Sequence, residues 1–336
     1  MKDIVLFAPA ATFGLVTLLL LGLLSALAAT NQPAAVSNLV AKTTGISVAV
    51  ADPNDPVERE YQKLLADDDA AQEEADKWIR EAQAFEEKGA GLPKATLGLK
   101  VEQRLEPVRK AYEDFLQRHP KHVAARLAYG SFLNDIRREE DAVEQWEKAR
   151  QIDPQNPAAW NNLANYYGHS GPVKKAFEYY TKAIELDPKE PVYLQNFATT
   201  IYLFRQDAME LYQINEQQVF DRALDMYRKA LKLDPKNLLL ATDLAQTFYG
   251  IRPPRTGEAL AAWNDALNLA TNAVEKEGIY LHLARVELNS GKFDEARNHL
   301  NSVTNDTMSV LKNRLLKNLL EKESRARNTN APAKKD

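Results

Sequence analysis

Residues 4–41 contain no charged side chain, and residues 18–24, six leucines around Gly22, are the apolar centre of that run. Lys2 precedes it, and Ala26, Leu27 and Ala28 place small residues at the spacing a signal peptidase reads. Residues 1–28 therefore read as a cleaved signal peptide or as an uncleaved anchor. Residues 4–29 are long enough to cross a hydrocarbon core of about 30 Å, although Pro9 interrupts the first turns. Both readings keep Lys2 on the cytoplasmic side and export the rest, because no other cation occurs before Lys42. The expected location is periplasmic or otherwise extracytoplasmic, with membrane contact through residues 4–29. Residues 29–54, rich in Pro, Ala, Thr, Ser and Val, read as a flexible linker.

From Asp55 onward the apolar positions take up helical spacing. Asp55 as N-cap, Pro56 at the first helical position and Glu58 in the first turn open a helix. Tyr61, Leu64, Leu65, Ala71, Ala75, Trp78, Ile79, Ala82 and Phe85 keep one face apolar, predicting a long amphipathic helix over 55–88. Asp67, Asp68 and Asp69 lack the alternating ligands and turn glycine of a calcium loop, so they are expected on a solvated face. Glycines and a proline at 89–93 break the helix, and Val108, Tyr112, Phe115 and Pro120 mark a partial unit over 97–122.

A longer period then takes over. Pro120, Pro154 and Pro188 each follow a helix and stand 34 residues apart, and Pro235 comes 47 residues later. The clearest copy, 157–190, places Trp160, Leu163, Ala164 and Tyr167 on a first helix and Ala176, Tyr180, Ala183 and Pro188 on and after a second. Around it, 123–156 carries Tyr129, Gly130, Leu133, Ala142, Trp146 and Ala149, and 191–237 carries Phe197, Ala198, Ala223, Tyr227 and Ala230. Leu244, Ala245, Ala259 and Trp263 continue the frame, as do Leu283, Ala284, Ala296 and Leu300 in a copy without the closing proline. This pattern resembles the tetratricopeptide-repeat (TPR) family over roughly 97–324, with Ala164 in place of the usual glycine. The resemblance implies an all-α, right-handed superhelix of antiparallel helix pairs. It would follow the long helix and the apolar signal or anchor segment, with an array over 123–306 and an enlarged unit at 191–237. Residues 307–324, with Leu311, Leu315, Leu316 and Leu319, read as a capping helix, because an end repeat otherwise exposes its apolar face. Residues 325–336 read as a disordered polar tail.

The enlarged unit keeps Met209, Leu211, Tyr212 and Ile214 in a stretch, 206–218, that has no glycine or proline. Its first helix is expected to run on past Arg205, and Asn215 to cap a lengthened second helix through a box with Gln218. Together they would project as a two-helix finger. Its apolar side either folds back on a neighbouring unit or meets a partner, which makes Met209 and Tyr212 candidate contacts.

Composition narrows the chemistry. Thirteen glycines in 336 residues fit a chain dominated by helix. The absence of cysteine excludes disulfides, thiol catalysis, thiolate zinc sites and a lipid-bearing cysteine. A net charge of −4 supplies no broad cationic field for nucleic acid. No phosphate loop, dinucleotide fingerprint or His-Glu-x-x-His helix occurs, so no cofactor or metal is expected. His119 and His122 flank Pro120 in what reads as a solvated turn, and His169, His282 and His299 stand alone.

What remains is binding. In TPR proteins the first helix of each repeat lines a concave face where peptides lie. In this frame the resemblance places Leu127, Ser131, Asn161, Asn165, Gln195, Thr199, Thr242, Gln246, Leu281 and Arg285 there. Asn, Gln and Thr pair with backbone amides without demanding one side-chain sequence. Arg285 is the one cation in the set, which argues against an acidic C-terminal ligand. The expected function is a non-catalytic scaffold for proteins or peptides, exported or tethered. The alternative is an accessory subunit of an envelope enzyme complex.

Overall fold

Asp55 opens the first helix as expected, its Oδ1 accepting from the Val57 amide at 2.9 Å. The computed structural model describes residues 55–86 and 94–329. The signal or anchor segment, the linker and the last seven residues lie outside them. The described residues form helices joined by turns, without a strand. None of their helices is long and apolar enough to cross a membrane. They fall into two compact units, divided between Leu233 and Asp234.

In the N-terminal unit, α1 (Pro56–Glu86) packs against α2 (Lys94–Arg118). Tyr61 and Phe115 meet with ring centroids 6.0 Å apart, and ion pairs join Arg118 to Glu60 and Arg104 to Glu74. The aspartate triplet departs from its expected solvated face. Asp67 is exposed, whereas Asp68 is buried and accepts hydrogen bonds from Tyr112 Oη at 2.7 Å and Gln72 Nε2 at 2.8 Å. The buried tyrosine needs an acceptor, and the aspartate facing it on α1 supplies one. Burial raises the Asp68 carboxyl above its ordinary range.

Three helix pairs follow: α3 (Val123–Asp135) with α4 (Glu139–Ile152), α5 (Pro157–Ser170) with α6 (Val173–Leu186), and α7 (Pro191–Leu203) with α9 (Glu216–Leu233). Side chains cap the first helices. The Ala125 amide donates to His122 Nδ1 at 3.0 Å, Ala158 to Asn156 and Val192 to Glu190. His122 is thus a half-buried cap, its Nε2 3.2 Å from Glu58, rather than part of a solvated turn. Consecutive pairs stack, α4 on α5 and α6 on α7, burying Phe132, Leu163, Phe177, Phe197 and Ile201.

The insertion differs from the expected finger. Helix α7 stops at Leu203, because Phe204 leaves helical backbone geometry at φ −104°, ψ 45°. A separate α8 (Arg205–Tyr212) then turns back, ending on left-handed Gln213. Ala208 is buried, and Met209, Tyr212 and Ile214 pack on a core that includes Phe177 and Val219. Folding back takes these apolar side chains out of water, at about 25 cal/mol per Å², which an extended finger would forgo. The Asn215–Gln218 box does form, with reciprocal bonds of 2.9 and 3.0 Å, and starts α9.

The C-terminal unit pairs α10 (Leu238–Thr247) with α11 (Thr256–Leu269) and α12 (Ala273–Asn289) with α13 (Phe293–Asn301), and α14 (Ser309–Thr329) closes it. Leu281, Ala284, Leu288, Ala296, Leu300, Val303, Leu315 and Leu319 form one core. Where the closing proline is missing, Glu277 takes over the turn. Its carboxylate accepts from the Thr304 and Asn305 amides at 2.8 and 2.7 Å and from Thr304 Oγ1. Helix α14 runs to Thr329, so residues 325–329 are not part of a disordered tail. Glu323 pairs with Arg297, and Lys322 Nζ donates to Asn289 Oδ1 at 2.8 Å, which ties the polar end of the helix to the pair beneath.

Candidate functional site

In each pair of the N-terminal unit, one aromatic of the second helix reaches across to the first helix. These aromatics are Tyr112, Trp146, Tyr180 and Tyr227, one per period of the sequence. Tyr112 donates to Asp68, and Trp146 Nε1 to the Leu127 carbonyl at 3.2 Å. Tyr180 Oη donates to Asn165 Oδ1 at 2.5 Å, and Tyr227 Oη lies 2.6 Å from Thr199 Oγ1. The residue types that recommend Asn165 and Thr199 as ligand-binding groups thus also hold the helix pairs together. Nothing in the spacing of the first helices alone signals this. The recurrence of an aromatic at one register of the second helices does.

The expected groove residues divide accordingly. Leu127 is buried, its carbonyl taken by Trp146. Asn161 is buried too, accepting from Asn196 Nδ2 of the next first helix at 3.1 Å. Ser131, Asn165, Gln195 and Thr199 are half-buried and line up along α3, α5 and α7. Ser131 and Thr199 donate to carbonyls one turn back, those of Leu127 and Gln195. Asn165 differs. Tyr180 occupies its Oδ1 and so fixes the carboxamide, and its Nδ2 has no hydrogen-bond partner among the described residues. A half-buried, oriented N–H donor suits a peptide carbonyl.

In the C-terminal unit Thr242 and Leu281 are buried, and Thr242 Oγ1 donates to the Leu239 carbonyl at 2.7 Å. Gln246 and Arg285 are half-buried. The Arg285 guanidinium lies 4.4 Å from the centroid of Tyr249, a cation–π contact. Tyr249 Oη is 2.8 Å from His282 Nδ1, and the His282 ring stacks on Trp263 at 4.2 Å. Burial, and secondarily the Arg285 charge, hold the His282 imidazole down to about 4. Met209 and Tyr212 are half-buried; Tyr212 stacks on Phe177 at 6.1 Å and carries Arg222 over its ring at 4.0 Å. Among the described residues no three His, Cys, Asp or Glu side chains are grouped to hold a metal.

Two tetratricopeptide-repeat family models match, over residues 109–157 and 157–190. No curated protein matches the chain. Among solved structures the chain is similar to PilW, a widely conserved type IV pilus biogenesis factor, at 17% identity and a TM-score of 0.48, covering 61% of this chain and 88% of that one. It is similar to pilF of Pseudomonas aeruginosa at 16% identity and 0.45, covering 69% and 90%. It is also similar to YrrB, described as a TPR protein with an unusual peptide-binding site, at 13% identity and 0.46, covering 62% and 99%.

Proposed function

Because this chain is a tetratricopeptide-repeat protein, we propose that it is a non-catalytic scaffold, binding an extended peptide or protein segment along the first helices of its repeats. The observation that carries this is Asn165, whose carboxamide is oriented by Tyr180 and keeps a donor for a ligand. Ser131 on the preceding first helix and Gln195 and Thr199 on the following one extend the same half-buried polar line. These groups are neutral, so the ligand is read through its backbone rather than a terminal carboxylate. A right-handed superhelical groove is the geometry this reading requires. The uncharged run at 4–41 supports an exported or tethered scaffold.

A photo-crosslinking residue placed at Asn165 in intact cells tests the reading, with exposed Glu178 of α6 as control. Adducts at Asn165 and none at Glu178 are expected. Equal adducts at both would defeat the groove assignment. One dominant enzyme among the adducts would make the chain an accessory subunit instead. A reporter enzyme active only outside the cytoplasm, fused after Asp336, should be active; a silent fusion beside an active cytoplasmic one would defeat the export reading.

A further inference from the structure

The cations of the closing helix are concentrated on its outer side. Helix α14 carries six Lys and Arg against two Glu, in a chain whose net charge is −4. Two of the six serve the fold: Lys312 Nζ donates to the Val303 carbonyl at 2.7 Å, and Lys322 to Asn289. Arg314 and Lys317 are exposed and make no ion pair among the described residues. Of the two carboxylates, Glu323 is held by Arg297, which leaves Glu321 as the one acidic group on the outer face.

That face also carries misplaced hydrocarbon. Leu315 and Leu319 occupy the buried side of α14, whereas Val310 is 75% exposed and Leu320 60%. These are the two most exposed large apolar side chains among the described residues. Positions 310, 317 and 320 share one face at helical spacing, with Arg314 beside them one turn from Val310. At 1.5 Å per residue, Val310 and Leu320 stand about 15 Å apart along the helix.

We propose that the outer face of α14 docks on an anionic phospholipid surface, lying parallel to it. Isolated apolar side chains set among unpaired cations suit a surface with negative headgroups above hydrocarbon. The cations meet phosphates while Val310 and Leu320 enter the acyl boundary independently of each other. An acidic protein would satisfy the cations but not this spacing, because Lys317 separates the two apolar side chains and prevents a contiguous dry patch. The headgroup need only be anionic, since Arg and Lys here form no built pocket.

The chain has no cysteine, so Val310→Cys gives the full-length protein a single attachment point for an environment-sensitive fluorophore. A blue shift is expected with phosphatidylglycerol vesicles, abolished by high salt, and absent with phosphatidylcholine vesicles. Arg314→Glu with Lys317→Glu should weaken vesicle affinity about tenfold or more. Leu320→Ser should weaken it with the charges intact, which keeps the test sound if the double reversal disturbs folding. A fluorophore on exposed Asn301→Cys should not respond. An equal shift with phosphatidylcholine would assign binding to an apolar segment elsewhere and overturn the proposal. So would no shift with either lipid, or a shift with polyglutamate and none with phosphatidylglycerol.

Discussion

The Trp146 indole lies against Gly130 so closely that a β-carbon at 130 would overlap the ring. The same register pairs Ala164 with Tyr180, Ala198 with Tyr227 and Ala284 with Leu300, and all three alanines are fully buried. A large second-helix side chain thus recurs at the register of a small first-helix one. Gly130→Ala should cost about 1–3 kcal/mol, as overpacking does. Gly98→Ala, in α2 with nothing within 4 Å of the added carbon, should instead stabilise by about 0.5–1 kcal/mol. Urea midpoints that move the same way in both variants would contradict this packing.

Tyr180→Phe removes a hydroxyl that serves Asn165 at 2.5 Å and Thr200 at 3.2 Å. A loss of about 0.5–1.5 kcal/mol is expected, because Asn165 is only half-buried and Thr200 Oγ1 still donates to the Asn196 carbonyl at 2.8 Å. In a double-mutant cycle with Asn165→Ala the losses should be less than additive. Additive losses would mean that the two side chains do not meet in solution.

Met209→Ser with Tyr212→Ser should lower the urea midpoint by removing contacts with the core around Phe177. Crosslinking from Asn165 should remain unchanged. Lost crosslinking at full stability would give α8 a direct partner role.

The pH dependence has a definite sign. His282 titrates at about 4 in the folded chain and near its ordinary 6.5 when unfolded. Between those values the unfolded chain binds a proton that the folded chain refuses, so the stability His282 confers above pH 6.5 declines as pH falls toward 4. Asp69 acts in reverse. Burial, then the Asp68 charge, raise it from 3.8 to about 6, so its contribution grows as pH falls through that window. His282→Gln should flatten the acid-side decline in urea midpoint, and Asp69→Asn should stabilise most above pH 6. An unchanged acid-side slope in the His282 variant would place that imidazole in water.

The helical class, the pairing and the repeat register were legible because they rest on local periodicity and on proline and small-residue placement. Gly130 could be read that way because it is forced by one facing neighbour, Trp146, and Ala164 and Ala198 repeat its register. Asp68 could not, since its burial depends on Tyr112, 44 residues away, needing an acceptor. The break at Phe204 was equally hidden: nothing local stops α7 there, and the gain comes from α8 packing on α6. The amides on the first helices advertised polarity but not its use. Only the second-helix aromatics reveal that Asn165 and Thr199 are half committed to the fold. The end of α14 depends on Arg297 and Asn289, which belong to other helices.

The Thr199–Tyr227 contact spans the enlarged unit, and at 2.6 Å it nearly matches its counterpart of 2.5 Å in the unit without an insertion. Extra chain between the two helices therefore leaves their register untouched, since the added residues form their own short helix and a new cap restarts the old one. The bond after exposed Gln213, where α8 ends, is a natural splice point that leaves Ile214 on its core and Asn215 in its cap. A foreign epitope or a small folded domain grafted there should be carried as cargo, with the helices on either side unaware of its length.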